Sequence, residues 1–132
     1  PAGMPWGNSK NHCLYSNFAG GGWHMPTIGE LRTLLRGCPA TESGGSCNVE
    51  EGNCLAWSCR DGSCNGCSSW GGPADGCYWP GIMEGECTGS HWSSSLVEEE
   101  TNQAWIVNFK GGGVSKGPTT GNVWGTFVRC VR

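Results

Sequence analysis

Cysteine is the residue type with the most chemistry to offer in this chain. Ten cysteines occur in 132 residues. Eight of them, Cys38, Cys47, Cys54, Cys59, Cys64, Cys67, Cys77 and Cys87, crowd into one glycine-rich stretch, while Cys13 and Cys130 bracket nearly the whole chain. Thiols at this density could ligate zinc, act as nucleophiles or oxidise in pairs. A structural zinc site uses two close-set pairs separated by a longer loop, whereas Cys54, Cys59, Cys64 and Cys67 supply one Cys-x2-Cys pair only. An even count in a short chain reads instead as a disulfide framework, which persists in oxidising compartments. Parity lets the inner eight close among themselves and leaves Cys13 to bond Cys130. The inner set allows on the order of a hundred connectivities. Cys77–Cys87 and Cys38–Cys47 are plausible local loops among these, and the sequence alone does not fix the pairing.

Other reactive residues form no set. His12, His24 and His91 lie in different segments, and Ser93-Ser94-Ser95 lacks the G-x-S-x-G turn of an esterase nucleophile. Parity leaves no thiol for a Cys–His pair. With no nucleophile, base and orienting group to name, a non-enzymatic protein is expected. Glu98, Glu99, Glu100 and Asn102 offer the oxygen ligands that calcium takes. A charge run is ordinarily a solvated loop, so no cofactor is expected. Trp70, Tyr78 and Trp79 sit among Gly, Ser and Pro in the cysteine-rich stretch. Aromatics on stapled loops make rigid, amphipathic contact surfaces for sugars or proteins. The competing reading is a small core beneath the disulfides, because residues 56–81 hold few aliphatics.

The elements that must position these residues fall into three zones. In residues 1–38, Thr27 and Glu30 form a T-x-x-E capping box. Ile28, Leu31, Leu34 and Leu35 follow at helical spacing, and Gly37 supplies the stop, predicting a helix of about ten residues. Residues 39–91 show no periodicity and read as a loop excursion that only cross-links can order. Residues 92–132 read as strands. Trp105, Val107 and Phe109 alternate with Ala104, Ile106 and Asn108, Lys110 to Val114 supplies a turn, and Val123–Val131 is expected as a last strand.

Hydrophobic residues make up 36% of the chain, beside 24 glycines and seven prolines. That is one loop-rich domain, to which disulfides closing long loops add roughly 2–4 kcal/mol each. No apolar run approaches a membrane span. The net charge of −3 is unevenly placed. Residues 1–38 carry Lys10, Arg32 and Arg36 against Glu30, residues 39–100 carry ten acids against Arg60, and residues 101–132 carry Lys110, Lys116, Arg129 and Arg132 with no acid. No broad basic face for nucleic acid is expected. Opposite-charge segments packing together, or head-to-tail association between copies, would each use this asymmetry.

Four motifs now line up. Trp23-His24-Met25-Pro26-Thr27-Ile28-Gly29-Glu30-Leu31-Arg32-Thr33-Leu34 resembles the W-R-L-P-T-x-x-E-L-x-x-L signature of a bacterial exported domain. Trp92-Ser93-Ser94-Ser95, Ala104 to Phe109 followed by Gly111–Gly113, and Val128-Arg129-Cys130-Val131-Arg132 resemble its W-S-S-S/T, A-W-x-V-x-F-x-x-G and V-R-C-V-R motifs in the same order. This is the family of the C-terminal domain of the Legionella collagen-like adhesin, related to the Fibrobacter major paralogous domain. The resemblance implies an α+β, C-type-lectin-like fold: a short helix, a twisted antiparallel sheet and a long disulfide-stapled loop region. It implies secreted or cell-surface placement, binding of sulfated polysaccharides and trimeric assembly. Cys13–Cys130 looks like the family's clasp. The acidic middle departs from the adhesin's positive surface, and the Glu-Pro-Asn and Trp-Asn-Asp triplets of calcium-dependent lectins are absent.

The chain is thus expected to be a single domain over 1–132 with residues 39–91 as a cysteine-rich acidic insertion, behind an export signal upstream of Pro1. The expected function is a non-enzymatic recognition or adhesion module for surface glycans or proteins, without nucleic-acid binding or membrane insertion. One alternative is a structural subunit that self-associates as a homo-oligomer or filament. A second is an enzyme similar to the sulfatase modifiers, which share the W-x-x-P-T-x-x-E-L motif loosely and use paired cysteines.

Overall fold

Alternating apolar side chains at 104–109 build a strand, and that strand organises the molecule. The computed structural model describes residues 3–67, 71–83, 85, 87–120 and 126–132. In chain order the elements are α1 (Trp6–Leu14), α2 (Ile28–Arg32), β1 (Ser90–Val97), β2 (Glu100–Asn108), β3 (Gly113–Pro118) and β4 (Thr126–Phe127). Short 3-10 turns occupy Phe18–Gly20, Trp57–Cys59 and Gly62–Asn65. The strands form one sheet in the order β3-β2-β1-β4. The β1/β2 and β2/β3 pairs are antiparallel, but β1 and β4 run parallel, with Ser90 opposite Thr126 and His91 opposite Phe127. The sheet is therefore mixed, not wholly antiparallel as expected. The expected last strand shrinks to Thr126–Phe127, and Val123 and Trp124 lie outside the described residues. Val131 instead exchanges backbone hydrogen bonds with His24, at 2.7 and 2.9 Å.

The two faces of β2 feed two cores. Trp105, Val107 and Phe109 pack with Val97, Val114, Ile28, Leu31, Leu35 and the cysteine-rich segment. Ala104 and Ile106 pack with Trp92, Met25 and Cys13 on the other side. This is the period-two alternation of a strand buried on both faces.

The capping box at Thr27 forms. Thr27 Oγ1 accepts from the Glu30 N–H and Glu30 Oε1 accepts from the Thr27 N–H. α2 nevertheless spans five residues rather than about ten. Leu34 and Leu35 turn to tighter bonds, to Leu31 and Arg32 three residues back, and the Arg36 N–H leaves the helix for the Tyr78 carbonyl. The nine-residue α1 carries no helical stripe of apolar residues. It is fixed by the Cys13–Cys130 disulfide, whose Cys13 end is buried, and by Trp6, whose Nε1 donates to the Ser93 carbonyl at 2.8 Å.

All ten cysteines are paired. Besides Cys13–Cys130 the bonds are Cys38–Cys67, Cys47–Cys64, Cys54–Cys59 and Cys77–Cys87. Cys38 thus reaches Cys67, not Cys47. Residues 41–49 instead wrap the buried Arg32 guanidinium, which donates to the carbonyls of Thr41, Val49 and Glu42 at 2.8, 2.7 and 2.9 Å. Gly66, at φ +89°, presses its backbone against Gly111–Gly113, where a Cβ would come within 2.5 Å of the Gly111 oxygen. Only glycine fits both that φ and that gap.

Candidate functional site

Of the three aromatics expected to form a contact surface, Trp70, Tyr78 and Trp79, two turn inward. Tyr78 and Trp79 are buried, at 4% and 3% exposure. Their rings belong to the core beneath the disulfides, with Trp79 tilted against Phe109 at 5.5 Å. The low aliphatic content of the segment demands this, because its interior has little else to fill it. Trp70 lies outside the described residues.

The oxygen-rich run Glu98–Asn102 covers the turn after β1 and the first residues of β2, with Glu99 at φ +68°. Glu98 and Glu99 are exposed, as is Asn102, whose carbonyl accepts from the Thr119 N–H at 2.9 Å. The Glu100 carboxylate is engaged by Lys116 at 2.7 Å. Among the described residues no three His, Cys, Asp or Glu side chains gather as a metal-ligand cluster.

The other reactive groups stand apart. His12 is exposed on α1. His24 Nε2 lies 3.0 Å from the Glu30 carboxylate. His91 is buried between Trp79, Phe109 and Phe127, with ring centroids 6.0, 5.2 and 5.8 Å away. Its Nδ1 has no hydrogen-bond partner. Burial, and secondarily the charge of Arg129, lower its pKa from 6.5 to about 4. Ser93 Oγ donates to the Trp105 carbonyl, while Ser95 Oγ accepts from the Ile28 N–H and donates to the Glu51 carboxylate.

A different aromatic is presented at the surface. Trp57 sits in the 3-10 turn closed by Cys54–Cys59 and is 37% exposed. Its ring stacks on the buried Trp105, centroids 5.7 Å apart and planes at 23°. Trp105 is itself locked, its Nε1 donating to the Leu55 carbonyl at 3.0 Å. Across the β2/β3 ladder from Trp105 stands Lys116, whose Nζ lies 4.3 Å from the Trp57 ring centre. The Arg60 guanidinium lies 5.4 Å from the same ring, within cation–π reach. Arg60 also runs along edge strand β3, donating from Nε to the Val114 carbonyl at 2.9 Å and from Nη2 to Asn65 Oδ1 at 2.6 Å. It lines an open cavity of about 290 Å³ with Asn65, Ser90, Ile106, Asn108 and Ser115. Trp57 and this polar hollow therefore share Arg60.

This arrangement escaped the reading of the sequence. Trp57 has no patterned neighbours, and its link to Lys116 depends on a cross-strand register. The one available signal was an aromatic inside the short Cys54–Cys59 loop, where the ring has little room to fold inward.

The comparisons with known proteins come down to a family. No curated protein matches the chain, and no solved structure does. A family match does exist and runs through the cysteine-rich segment as well as the flanking zones, over residues 1–132. The chain belongs to the Lcl C-terminal domain family.

Proposed function

We propose that the protein is an exported surface recognition module of adhesin type, non-enzymatic, with the C-type-lectin-like architecture the resemblance implies, and that it binds surface glycans through Trp57. The single observation that carries this is the half-exposed Trp57, stacked on Trp105 with Lys116 and Arg60 over its ring, Arg60 also lining a polar cavity. A sugar ring offers an apolar face to an aromatic and a rim of hydroxyls to polar side chains. A rigid backing keeps the ordering cost of binding low. The extracellular setting is supported by the family, by five disulfides and by the lack, among the described residues, of any helix long and apolar enough to cross a membrane.

The test is Trp57→Ala on a glycan array and in titration with the best-bound sugar. Affinity is expected to fall at least about tenfold, or roughly 1.4 kcal/mol, with near-ultraviolet dichroism of the remaining core unchanged. Binding that is indifferent to Trp57 would overturn the assignment of the site.

A second reading, self-association, has its own observation. Leu14, Tyr15 and Phe18 stand 56%, 78% and 72% exposed at the end of α1 and the turn after it. A cluster of large apolar side chains in water marks an interaction surface.

A further inference from the structure

We propose that Cys54–Cys59 is a thiol-exchange site open to small-molecule thiols, and that its reduction dismantles the Trp57 surface while the rest of the fold stands. The exchange depends on the placement of the disulfide alone. Its consequence for binding rests on the glycan-binding reading of Trp57.

The five disulfides are not equally placed. Cys13, Cys38, both ends of Cys47–Cys64 and both ends of Cys77–Cys87 are buried, so four bonds have at least one cysteine in the core. Cys54 and Cys59 are both partly exposed. They also close the shortest loop, with a sequence separation of 5 against 10, 17, 29 and 117 for the others. A short loop regains little chain entropy when it is opened, and exposed disulfides are the ones that exchange. The chain on either side is held by other bonds. Cys54 and Glu50 exchange backbone hydrogen bonds at 3.1 and 3.2 Å. The Leu55 carbonyl accepts from the Glu98 N–H and from Trp105 Nε1, and Arg60 Nε donates to the Val114 carbonyl. Between these anchors Trp57–Cys59 is one 3-10 turn, closed by bonds from the Cys59 N–H to Ala56 and from the Arg60 N–H to Trp57.

The step balances with a thiol as the only co-reactant. One thiolate, RS⁻, attacks Cys54 Sγ. An R–S–S–Cys54 bond forms, and the bond between the two Sγ atoms breaks with its electron pair leaving on Cys59. A second RS⁻ attacks the R sulfur, RSSR departs, and that electron pair stays on Cys54. Two electrons pass from two thiols to the protein, and the protons those thiols gave up end on Cys54 and Cys59. Cys59 is the better leaving group, because Arg60 follows it and positive charge favours a thiolate. Asp61, the next residue, is turned to the Ser63 N–H. With the disulfide cut, a single 3-10 turn is too short to hold itself. The Trp57 ring is then no longer clamped on Trp105 with Lys116 and Arg60 over it.

The experiment treats the native protein with graded glutathione, alkylates it at intervals with iodoacetamide and maps the labels by mass spectrometry, with near-ultraviolet dichroism recorded in parallel. Cys54 and Cys59 are expected to label at least about tenfold faster than any other cysteine. Over the same interval the dichroism is expected to lose the band that Trp57→Ala also removes. The double substitution Cys54→Ser with Cys59→Ser is expected to lack that band without any reductant. Labelling of all ten cysteines together, of another pair first, or of none overturns the exchange site. Fast labelling of Cys54 and Cys59 with an unchanged Trp57 band overturns the dismantling. Neither readout uses a sugar, so a glycan array silent for well-folded wild type overturns the glycan reading and leaves the exchange site standing. For a sugar bound through Trp57, reduction is expected to weaken affinity at least about tenfold, and an undiminished affinity overturns the dismantling as well.

Discussion

His91 shows how one buried side chain imposes a condition on the whole fold. Its ring is enclosed by Trp79, Phe109 and Phe127, and its Nδ1 lacks a hydrogen-bond partner. Burial first, and the Arg129 charge second, bring its pKa from 6.5 to about 4. Between those two values the unfolded chain binds a proton that the folded chain refuses. The contribution is therefore complete above pH 6.5 and is lost as pH falls toward 4, by on the order of 3 kcal/mol. His91→Phe keeps an aromatic in the same pocket and has nothing to titrate. Denaturant unfolding at steps from pH 7 to pH 4 is expected to show the variant losing less stability than wild type, with the gap opening below pH 6.5. Parallel curves would show that His91 does not titrate in this way. None of this was legible in the sequence, where His91 stands beside the exposed-looking Ser90 and carries no sign of the rings that close over it.

Arg32 does at the scale of elements what His91 does at a point. It ends α2, is 1% exposed and holds three carbonyls of the segment 41–49. A planar guanidinium can serve three acceptors in different directions, and a lysine ammonium cannot replace its fork. Arg32→Ala is expected to lower stability by about 3 kcal/mol or more, since buried carbonyls would be left without donors, and Arg32→Lys is expected to rescue little of it. A thermal midpoint unchanged in Arg32→Ala would refute this account. The same comparison explains which elements the sequence disclosed. The Thr27–Glu30 cap and the alternation in β2 are local patterns, and both are present in the structure. The length of α2, the existence of α1 and the partner of Cys38 are not local. α2 stops where Arg36 turns to Tyr78, α1 depends on a disulfide 117 residues away, and Cys38 is drawn to Cys67 by the chain wrapping Arg32. The site was hidden for the same reason, since Trp57, Arg60 and Lys116 meet only through the pairing of β2 with β3.

Across the whole molecule the decisive link is Cys13–Cys130, with His24 pairing to Val131 beside it. Together they set the basic first zone against the basic last zone. Arg132 extends the junction, donating from Nη1 to the Ala19 carbonyl at 2.6 Å and stacking its guanidinium 4.6 Å from the Trp23 ring centre. Trp23 Nε1 in turn donates to the Phe18 carbonyl at 2.6 Å. The turn that displays Tyr15 and Phe18 is thus braced from below, so its apolar side chains are held out in water rather than folded in. That exposure is unfavourable for an isolated chain and favourable for an associating one, at roughly 25 cal/mol per Å² covered. The acidic middle of a neighbouring copy offers charge complementary to Arg132, which holds the Ala19–Gly21 turn beside the patch. If self-association is part of this protein's work, light scattering over a concentration series is expected to give a mass rising above the 14.0 kDa of one chain. The double substitution Tyr15→Ser with Phe18→Ser is expected to return it to that value without altering the thermal midpoint. A wild-type protein that stays at 14.0 kDa at every concentration would leave the patch without this role and the Trp57 surface as the molecule's means of recognition.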